Sequence, residues 1–433
     1  MTKLLLSPQW LLRLEKHSKL IVGFSGGLDS TVLLHLLASH TLLRHKLVAV
    51  HVNHGISMNA PLWQNHCAQF CVQVGVDFIA QAVEFDRLAN VEEGARIARY
   101  GVFSSMLTAH DCLILAHHLN DQAETVLLQL FRGAGVDGLA AMAEFSDLAS
   151  GSLARPLLTH FRADLEHYAA GHQLHWIEDE SNADVRFSRN YLRQQVMPLL
   201  IEKWPGVVAA VARTATHCRQ AKANLDNLAI IDEQTWSLPI NTLSMEPLKA
   251  LNDDRIANTL RYWLKKNQVQ LPSTAILHCL IHEVIRASSD ATPVVSWDKV
   301  QVRRYQQQLY LDRKKSTDLQ QCIDWTAFPQ PLNIIAASMV VCAQQANHGL
   351  FVPEGAKIQI KFRQGGEVLK WHGQTKKLKK LVQEWAIPPW LREQIPLLYI
   401  NDQLAAVIGY AVSDAFFSPH ASNAWLITRR ALD

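Results

Sequence analysis

Between Lys19 and about Asn120 the chain alternates short, nearly continuous apolar runs with longer stretches of helical periodicity, and this alternation constrains its fold more than any other feature. KLIVGF precedes STVLLHLLASH, LVAVHVNH precedes a helical run through WQNHCAQFCVQV, and DFIAQAV precedes a helical segment from about Val91 to Thr108. The run CLILAHH and a helix expected near Asn120 continue the series. A strand that is apolar on both sides has to be covered on both faces, so the pattern predicts an α/β domain with a doubly wound parallel sheet. Ligands in such sheets lie at the carboxyl ends of the strands. The residues just after each apolar run are therefore the candidates for function.

Ser25, Gly26, Gly27, Leu28, Asp29 and Ser30 stand at the first such end, between a strand closing at Phe24 and a helix expected from about Ser30. Adjacent glycines allow positive φ and let backbone N–H groups point inward as a nest, and the following helix N-terminus adds partial positive charge. Ser25 and Ser30 add hydroxyl donors, so pyrophosphate is a natural occupant. The segment is not a Walker A loop, because it lacks the G-x-x-x-x-G-K-[ST] pattern and its lysine. A carboxylate at Asp29 is repelled by phosphates unless a divalent cation bridges them, which points to Mg²⁺ with Asp29 as a ligand. The plainer alternative is that Asp29 caps a helix.

Three further groups fall at the same sheet edge. Val50-His51-Val52-Asn53-His54-Gly55 ends the second strand, where backbone groups can read an adenine. Glu92, Arg96 and Arg99 share one face of the helix from Val91, either as ligand contacts or as a solvated ion-pair face. His117-His118-Leu119-Asn120-Asp121 follows the CLILA run, with Asp121 and Glu124 three apart in a first helical turn. Both carboxylates can face the crevice there, although first-turn acids are also ordinary capping residues. The loop Arg132-Gly133-Ala134-Gly135-Val136-Asp137-Gly138 offers flexible backbone that can close over a substrate.

The chain has 433 residues, 48 % hydrophobic and 19 % charged, enough for two or three domains with real cores. Boundaries are expected near 215, after the polar stretch EDESNADVRFSRN, and near 320, after the basic cluster Arg313, Lys314 and Lys315. The net charge of +3 is unevenly divided: residues 1–215 hold 17 Lys and Arg against 20 Asp and Glu, residues 216–433 hold 25 against 19. Residues 357–380 carry eight cations, Lys376, Lys377, Lys379 and Lys380 among them, against the single acid Glu367. A single-sign run of that density, interleaved with Phe362 and Trp371, suits a polyanion. Arg189 and Arg193 either contact that polyanion or pair with Glu178, Asp179 or Glu180.

None of the seven cysteines stands in a C-x-x-C pair, so they read as free thiols of a reducing compartment. Cys67 and Cys71, beside His66, read as a partly buried helix face rather than metal ligands. No apolar run reaches the roughly 18 residues of a membrane span. The N-terminal stretch is broken by Pro8, Arg13, Glu15 and Lys16, so a cytoplasmic protein without a membrane partner is expected.

The ordered series SGGLDS, VHVNHG, EGARIARY, AHHLNDQAET, RGAGVDGLAAM, ARPLL and WIEDESNADVRFSRNYLR, with KKLKKLVQEWAIPPWLREQIPLL near the C-terminus, resembles the tRNA(Ile)-lysidine synthetases over essentially the whole chain. These are PP-loop enzymes, which split ATP between the α and β phosphates. The family often has two consecutive aspartates where this chain has Asn120-Asp121. The resemblance implies a Rossmann-like PP-loop catalytic domain over 1–215, a helical or mixed tRNA-contacting domain over 216–320 and a small, basic α+β tRNA-binding domain over 321–433. It implies ligation of free L-lysine to C2 of the wobble cytidine of an isoleucine tRNA with a CAU anticodon, with ATP as co-substrate and Mg²⁺ as cofactor. Ser25 to Ser30 would then bind ATP, with Asp29, Arg96, Asp121 and Glu124 as catalytic residues. Arg189, Arg193, Lys376, Lys377, Lys379 and Lys380 would contact RNA, and a homodimer is compatible with the sequence. A PP-loop tRNA thiolase is the alternative, disfavoured because it needs cysteines to carry sulfur.

Overall fold

The computed structural model describes residues 4–432 apart from 56–58, 86–90, 235–237, 289–290, 314–321 and 420–423. Lys314, Lys315 and the boundary expected near 320 lie outside the described residues. The chain forms two compact units, Met1–Leu228 and Ala229–Asp433. Residue 215 falls inside a helix running from Val207 to Glu233, so the change of composition there coincides with no break in the backbone.

The first unit is built on six strands: β1 (Lys19–Gly23), β2 (Leu47–Asn53), β3 (Asp77–Ala82), β4 (Asp111–Ile114), β5 (Phe145–Leu148) and β6 (Gly151–Ala154). Their order in the sheet is β3-β2-β1-β4-β6-β5. All neighbours are parallel except the β5–β6 hairpin. Alternation of side chains explains why the strands are apolar throughout. Leu20, Val22, Ala49, Cys112 and Ile114 enter one core, with Val32, Leu33 and Phe70. Ile21, Val48, Val50 and Leu113 enter another on the opposite face, with Phe103 and Leu107. Period-two alternation places neighbouring residues on opposite faces, and both faces are roofed by helices.

Strand order reverses between β1 and β4: the chain builds outward through β2 and β3, then returns to the other side of β1. Loops leaving β1 and β4 therefore diverge to opposite faces and leave a crevice at their carboxyl ends. The helix after β1 spans Leu28–Ala38, two residues earlier than expected, and the helix after β4 spans Leu119–Phe131.

The second unit has two parts. Helices Asp253–Lys266 and Thr274–Cys279 lie on a four-stranded antiparallel sheet, with Leu260, Trp263, Leu277, Val302 and Leu309 in the core between them. The C-terminal part contains two five-stranded antiparallel sheets, the hairpin Val368–Trp371/Gln374–Lys377 and the short helix Leu378–Glu384. Among the described residues no helix is long and apolar enough to cross a membrane.

Candidate active site

The β1–β4 crevice opens into a cavity of about 1570 Å³. At its floor the chain leaves β1 and turns at Gly26 with φ +84°. A Cβ at that position would lie 2.7 Å from Ile177 Cδ1 and 2.8 Å from Cys67 Sγ, so position 26 needs glycine for backbone conformation and for space. The Gly26 carbonyl accepts from Ile177 N at 2.8 Å and from Thr31 Oγ1 at 3.3 Å. The Ser25 and Ser30 hydroxyls are 3.1 Å apart, and Ser30 Oγ donates to Gly27 O at 3.0 Å. Gly27 is the N-cap of the next helix and supplies no side-chain cap. A rigid turn running into an uncapped helix N-terminus leaves backbone N–H groups available to an anion.

Asp29 sits in the first turn of that helix and lines the cavity. Its Oδ1 is buried without a hydrogen-bond partner, and its Oδ2 is 3.6 Å from His118 Nε2. A buried carboxylate oxygen left unpaired is costly and calls for a cation. A hard oxygen donor beside a phosphate nest fits Mg²⁺.

The acids after β4 are engaged more fully. His118 caps the Leu119–Phe131 helix: His118 N donates to Asp121 Oδ2 at 3.0 Å, and Asp121 N donates to His118 Nδ1 at 3.3 Å. Asp121 is thus a capping residue with one oxygen and a site residue with the other. Arg189 donates to Glu124 Oε2 and Asp121 Oδ1, each at 2.9 Å. Arg193 donates to Glu124 Oε1 at 2.7 Å, Glu124 Oε2 at 2.9 Å and Asp121 Oδ1 at 3.0 Å. Asp121 and Glu124 are only 7 % and 2 % exposed, so these guanidiniums are what keep the pair inside. Burial alone would raise the Asp121 pKa, but His118 and Arg189 beside it outweigh that and hold it at about 2.

Arg189 and Arg193 therefore have Asp121 and Glu124 as ion-pair partners, where the sequence offered Glu178, Asp179 or Glu180. Glu178, Asp179 and Glu180 line the same cavity, and Glu180 Oε1 accepts from Asn59 Nδ2 at 3.1 Å. The two guanidiniums instead reach acids more than sixty positions upstream. They are brought there on one helical face by the turn Ser188–Tyr191 and its continuation, Leu192–Val196.

Part of the cavity lining is cationic. Arg96, Arg99 and Arg155 belong to it, with the Arg96 guanidinium 5.8 Å from the Tyr100 ring centroid. Burial lowers the pKa of Arg99 and Arg155. Arg155 Nε donates to His117 Nδ1 at 3.2 Å. Burial, reinforced by the nearby arginines and opposed by Asp121, drives His117 down to about 3. His117 is consequently neutral, with its proton on Nε2. Sequence reasoning passed over Arg155, which carries no local signal beyond the motif ARPLL.

The whole Val50–Gly55 segment lines the cavity, as expected, with His51 Nδ1 3.0 Å from the Phe24 carbonyl. The loop Arg132–Gly138 does not line it; the chain beyond contributes Met142, held by a reciprocal pair of bonds with Gln122. The side chain of Glu92 lies outside the described residues. Asn120 Oδ1 accepts from Arg162 N at 3.1 Å. Cys67 and Cys71 are buried, and their thiols are pushed up to about 12 by that burial.

Family models agree with this layout. A PP-loop domain model matches residues 3–200, a TilS substrate binding domain model 243–310 and a TilS substrate C-terminal domain model 358–428. The chain is 59 % identical to a tRNA(Ile)-lysidine synthase of Legionella pneumophila over 431 residues, covering 100 % of both chains. The chain belongs to the tRNA(Ile)-lysidine synthase family. Relatives of that name from Coxiella burnetii, at 38 % identity with 97 % of this chain and 96 % of that one covered, and from Serratia proteamaculans, at 40 % with 97 % of each covered, extend the match. The lysine run at 376–380 lies within the segment matched by the family's C-terminal domain model.

Gly26→Ala should destabilise the fold by about 1–3 kcal/mol through strain at positive φ and depress ATP pyrophosphate release more than tenfold; thermal melting and a pyrophosphate assay measure the two effects. Asp121 offers a pH test. Its pKa falls from 3.8 to about 2 on folding, so its contribution of roughly 2 kcal/mol is present above pH 4 and fades as the pH drops through 2. The stability gap between the parent and Asp121→Asn should narrow by that amount in urea titrations from pH 7 down to pH 2.

Proposed function

We propose that this chain joins free L-lysine to C2 of the wobble cytidine in the CAU anticodon of an isoleucine tRNA, forming lysidine at the expense of ATP, which is split to AMP and pyrophosphate. The observation that carries this reading is a single cavity lined by the Ser25–Ser30 phosphate nest, the unpaired Asp29 oxygen and the Asp121–Glu124 pair. The wobble base has to leave the anticodon loop to enter it.

In the first step the cytosine O2 attacks the α-phosphate and pyrophosphate departs. O2 by itself is a poor leaving group, and adenylation turns it into AMP, a good one. Gly26, Gly27 and the first-turn N–H groups meet the pyrophosphate, and Arg96 of the same cavity steadies the adenylate. Mg²⁺, held by Asp29, would supply charge neutralisation between the phosphates. In the second step the lysine side-chain amine attacks C2, AMP leaves and the amine gives up a proton.

Asp121 and Glu124 hold the lysine ammonium while Arg189 and Arg193 fix the two carboxylates in place. With a pKa of about 2, Asp121 binds a cation well and accepts a proton from it poorly, so its role is orientation. In this reading the two arginines act on the acids of this unit. A thiolase reading finds no support, because among the described residues no cysteine lines the cavity. We assign this activity to the cytoplasm, where its tRNA is.

Incubation with ATP, Mg²⁺, labelled lysine and an unmodified isoleucine tRNA transcript should yield labelled lysidine after RNA digestion. Asp29→Ala should abolish both pyrophosphate release and incorporation, whereas Asp121→Ala should retain pyrophosphate release and lose incorporation at least a hundredfold. Incorporation at the parental rate by Asp121→Ala would remove it from the second step. Reversing Lys376, Lys377, Lys379 and Lys380 to glutamate should weaken tRNA binding and flatten its dependence on salt, because fewer counterions are released; filter binding across a salt series reads both.

A further inference from the structure

Catalysis leaves one side-chain arrangement of the second unit unexplained. The hairpin Val368–Trp371/Gln374–Lys377, the helix Leu378–Glu384 and the turn after strand Gln403–Val407 bring cations and rings into a continuous ladder. Lys376 Nζ lies 5.2 Å from the Trp371 ring centroid. Trp371 meets Trp385 edge to face at 5.7 Å and 79°. Trp385 and Tyr410 are stacked at 5.3 Å and 16°, and the Arg429 guanidinium lies 5.9 Å from the Tyr410 centroid.

Packing accounts for only part of this. Trp371 and Trp385 lean on the apolar cluster of Leu369, Leu378 and Leu381, and their burial explains their presence. Tyr410 is 39 % exposed at the far end of the stack, and Arg429 beyond it is exposed as well. A half-exposed ring backed by Trp385 and carrying the Arg429 guanidinium over it has the two properties that a nucleotide inserted between ring and guanidinium calls for. Its base needs a flat π surface, and its phosphates need positive charge. Duplex RNA hides its base faces, so the matching occupant is unpaired.

We propose that this ladder is a subsite for an unpaired nucleotide of the tRNA, with the base inserted between the Tyr410 ring and the Arg429 guanidinium, whose charge also neutralises a flanking phosphate. The inference rests on reading the chain as a tRNA-modifying ligase and adds to it a stacking contact remote in sequence from the PP-loop. The lysine run supplies charge that any phosphate backbone would satisfy; the ladder selects strands whose bases are free.

Stacking and phosphate contacts differ in salt dependence, and this separates the proposal from a general charge effect. A ring releases no counterions, whereas each neutralised phosphate contributes to the slope of affinity against salt. Binding of the isoleucine tRNA transcript to the full chain should be measured over a salt series for the parent, Tyr410→Ala, Tyr410→Phe and Arg429→Gln, each melting as the parent does. Tyr410→Ala should weaken binding roughly 5- to 100-fold at every salt concentration with the slope unchanged, and Tyr410→Phe should bind as the parent. Arg429→Gln should reduce both affinity and slope. Parental affinity in Tyr410→Ala, or an equal loss in Tyr410→Phe, overturns the proposal.

A transcript lacking the unpaired 3′ end identifies the source of the nucleotide. If truncation weakens the parent but not Tyr410→Ala, the 3′ end occupies the ladder; if the two losses multiply, a loop nucleotide does. Lysidine formation is followed separately. Ring-dependent binding without lysidine sinks the activity alone, and lysidine formation with ring-independent binding sinks the ladder alone.

Discussion

Two carboxylates cannot remain ionised in the interior of a protein unless cations come to them, and the catalytic unit is organised around meeting that demand for Asp121 and Glu124. The acids ride on the first turn of the helix after β4, at the sheet edge where the strand order reverses. Their cations arrive on a segment more than sixty residues later, which has to fold back across the crevice to deliver them. A pair this buried gains little net stability over an apolar substitute, but losing one partner leaves an uncompensated charge. The geometry of the crevice is therefore tied to the docking of the Ser188–Val196 turn. The same turn follows the Trp176–Asp184 stretch that roofs the phosphate loop through the bond from Ile177 N to Gly26 O.

Charge is partitioned across the cavity to suit a reaction in which both signs change hands. The buried acids and the unpaired Asp29 oxygen favour cations. Arg96, Arg99 and Arg155 in the same lining favour anions, and His117 beside them is neutral, its imidazolium form suppressed by burial and its arginine neighbours. Depressing Asp121 to about 2 has a chemical consequence. An acid so strongly stabilised as an anion binds a cation well and takes a proton from it poorly.

Much of this was legible in the sequence, for physical reasons that also mark the limits. The parallel sheet was readable because both of its faces are buried, which forces Leu20, Ile21 and Val22 all to be apolar. The phosphate loop was readable because positive φ at Gly26, and the absence of room for a Cβ, restrict what can stand there. The partners of Arg189 and Arg193 were not readable. Nearby Glu178, Asp179 and Glu180 offer equally good charges, and no local pattern reveals that a fold-back places Asp121 and Glu124 closer. Arg155 escaped for the same reason, since its bond to His117 spans 38 positions. The helix Val207–Glu233 shows the converse: composition shifts near 215, yet the backbone crosses that point without interruption and the compact units divide after Leu228.

The unequal charge of the two halves follows from what each has to hold. A cavity lined by both buried carboxylates and buried guanidiniums meets groups of either sign, and near-balance, built from local patches, favours neither at the cost of the other. A surface that holds a polyanion has no such conflict and can concentrate one sign, as residues 357–380 do. Charge alone draws in any nucleic acid, however, because phosphates are alike in all of them. Selection has to come from groups that read something other than phosphate. On the second unit the exposed ring of Tyr410, set between the stacked Trp385 and Arg429, is such a group, for it distinguishes a free base from a paired one.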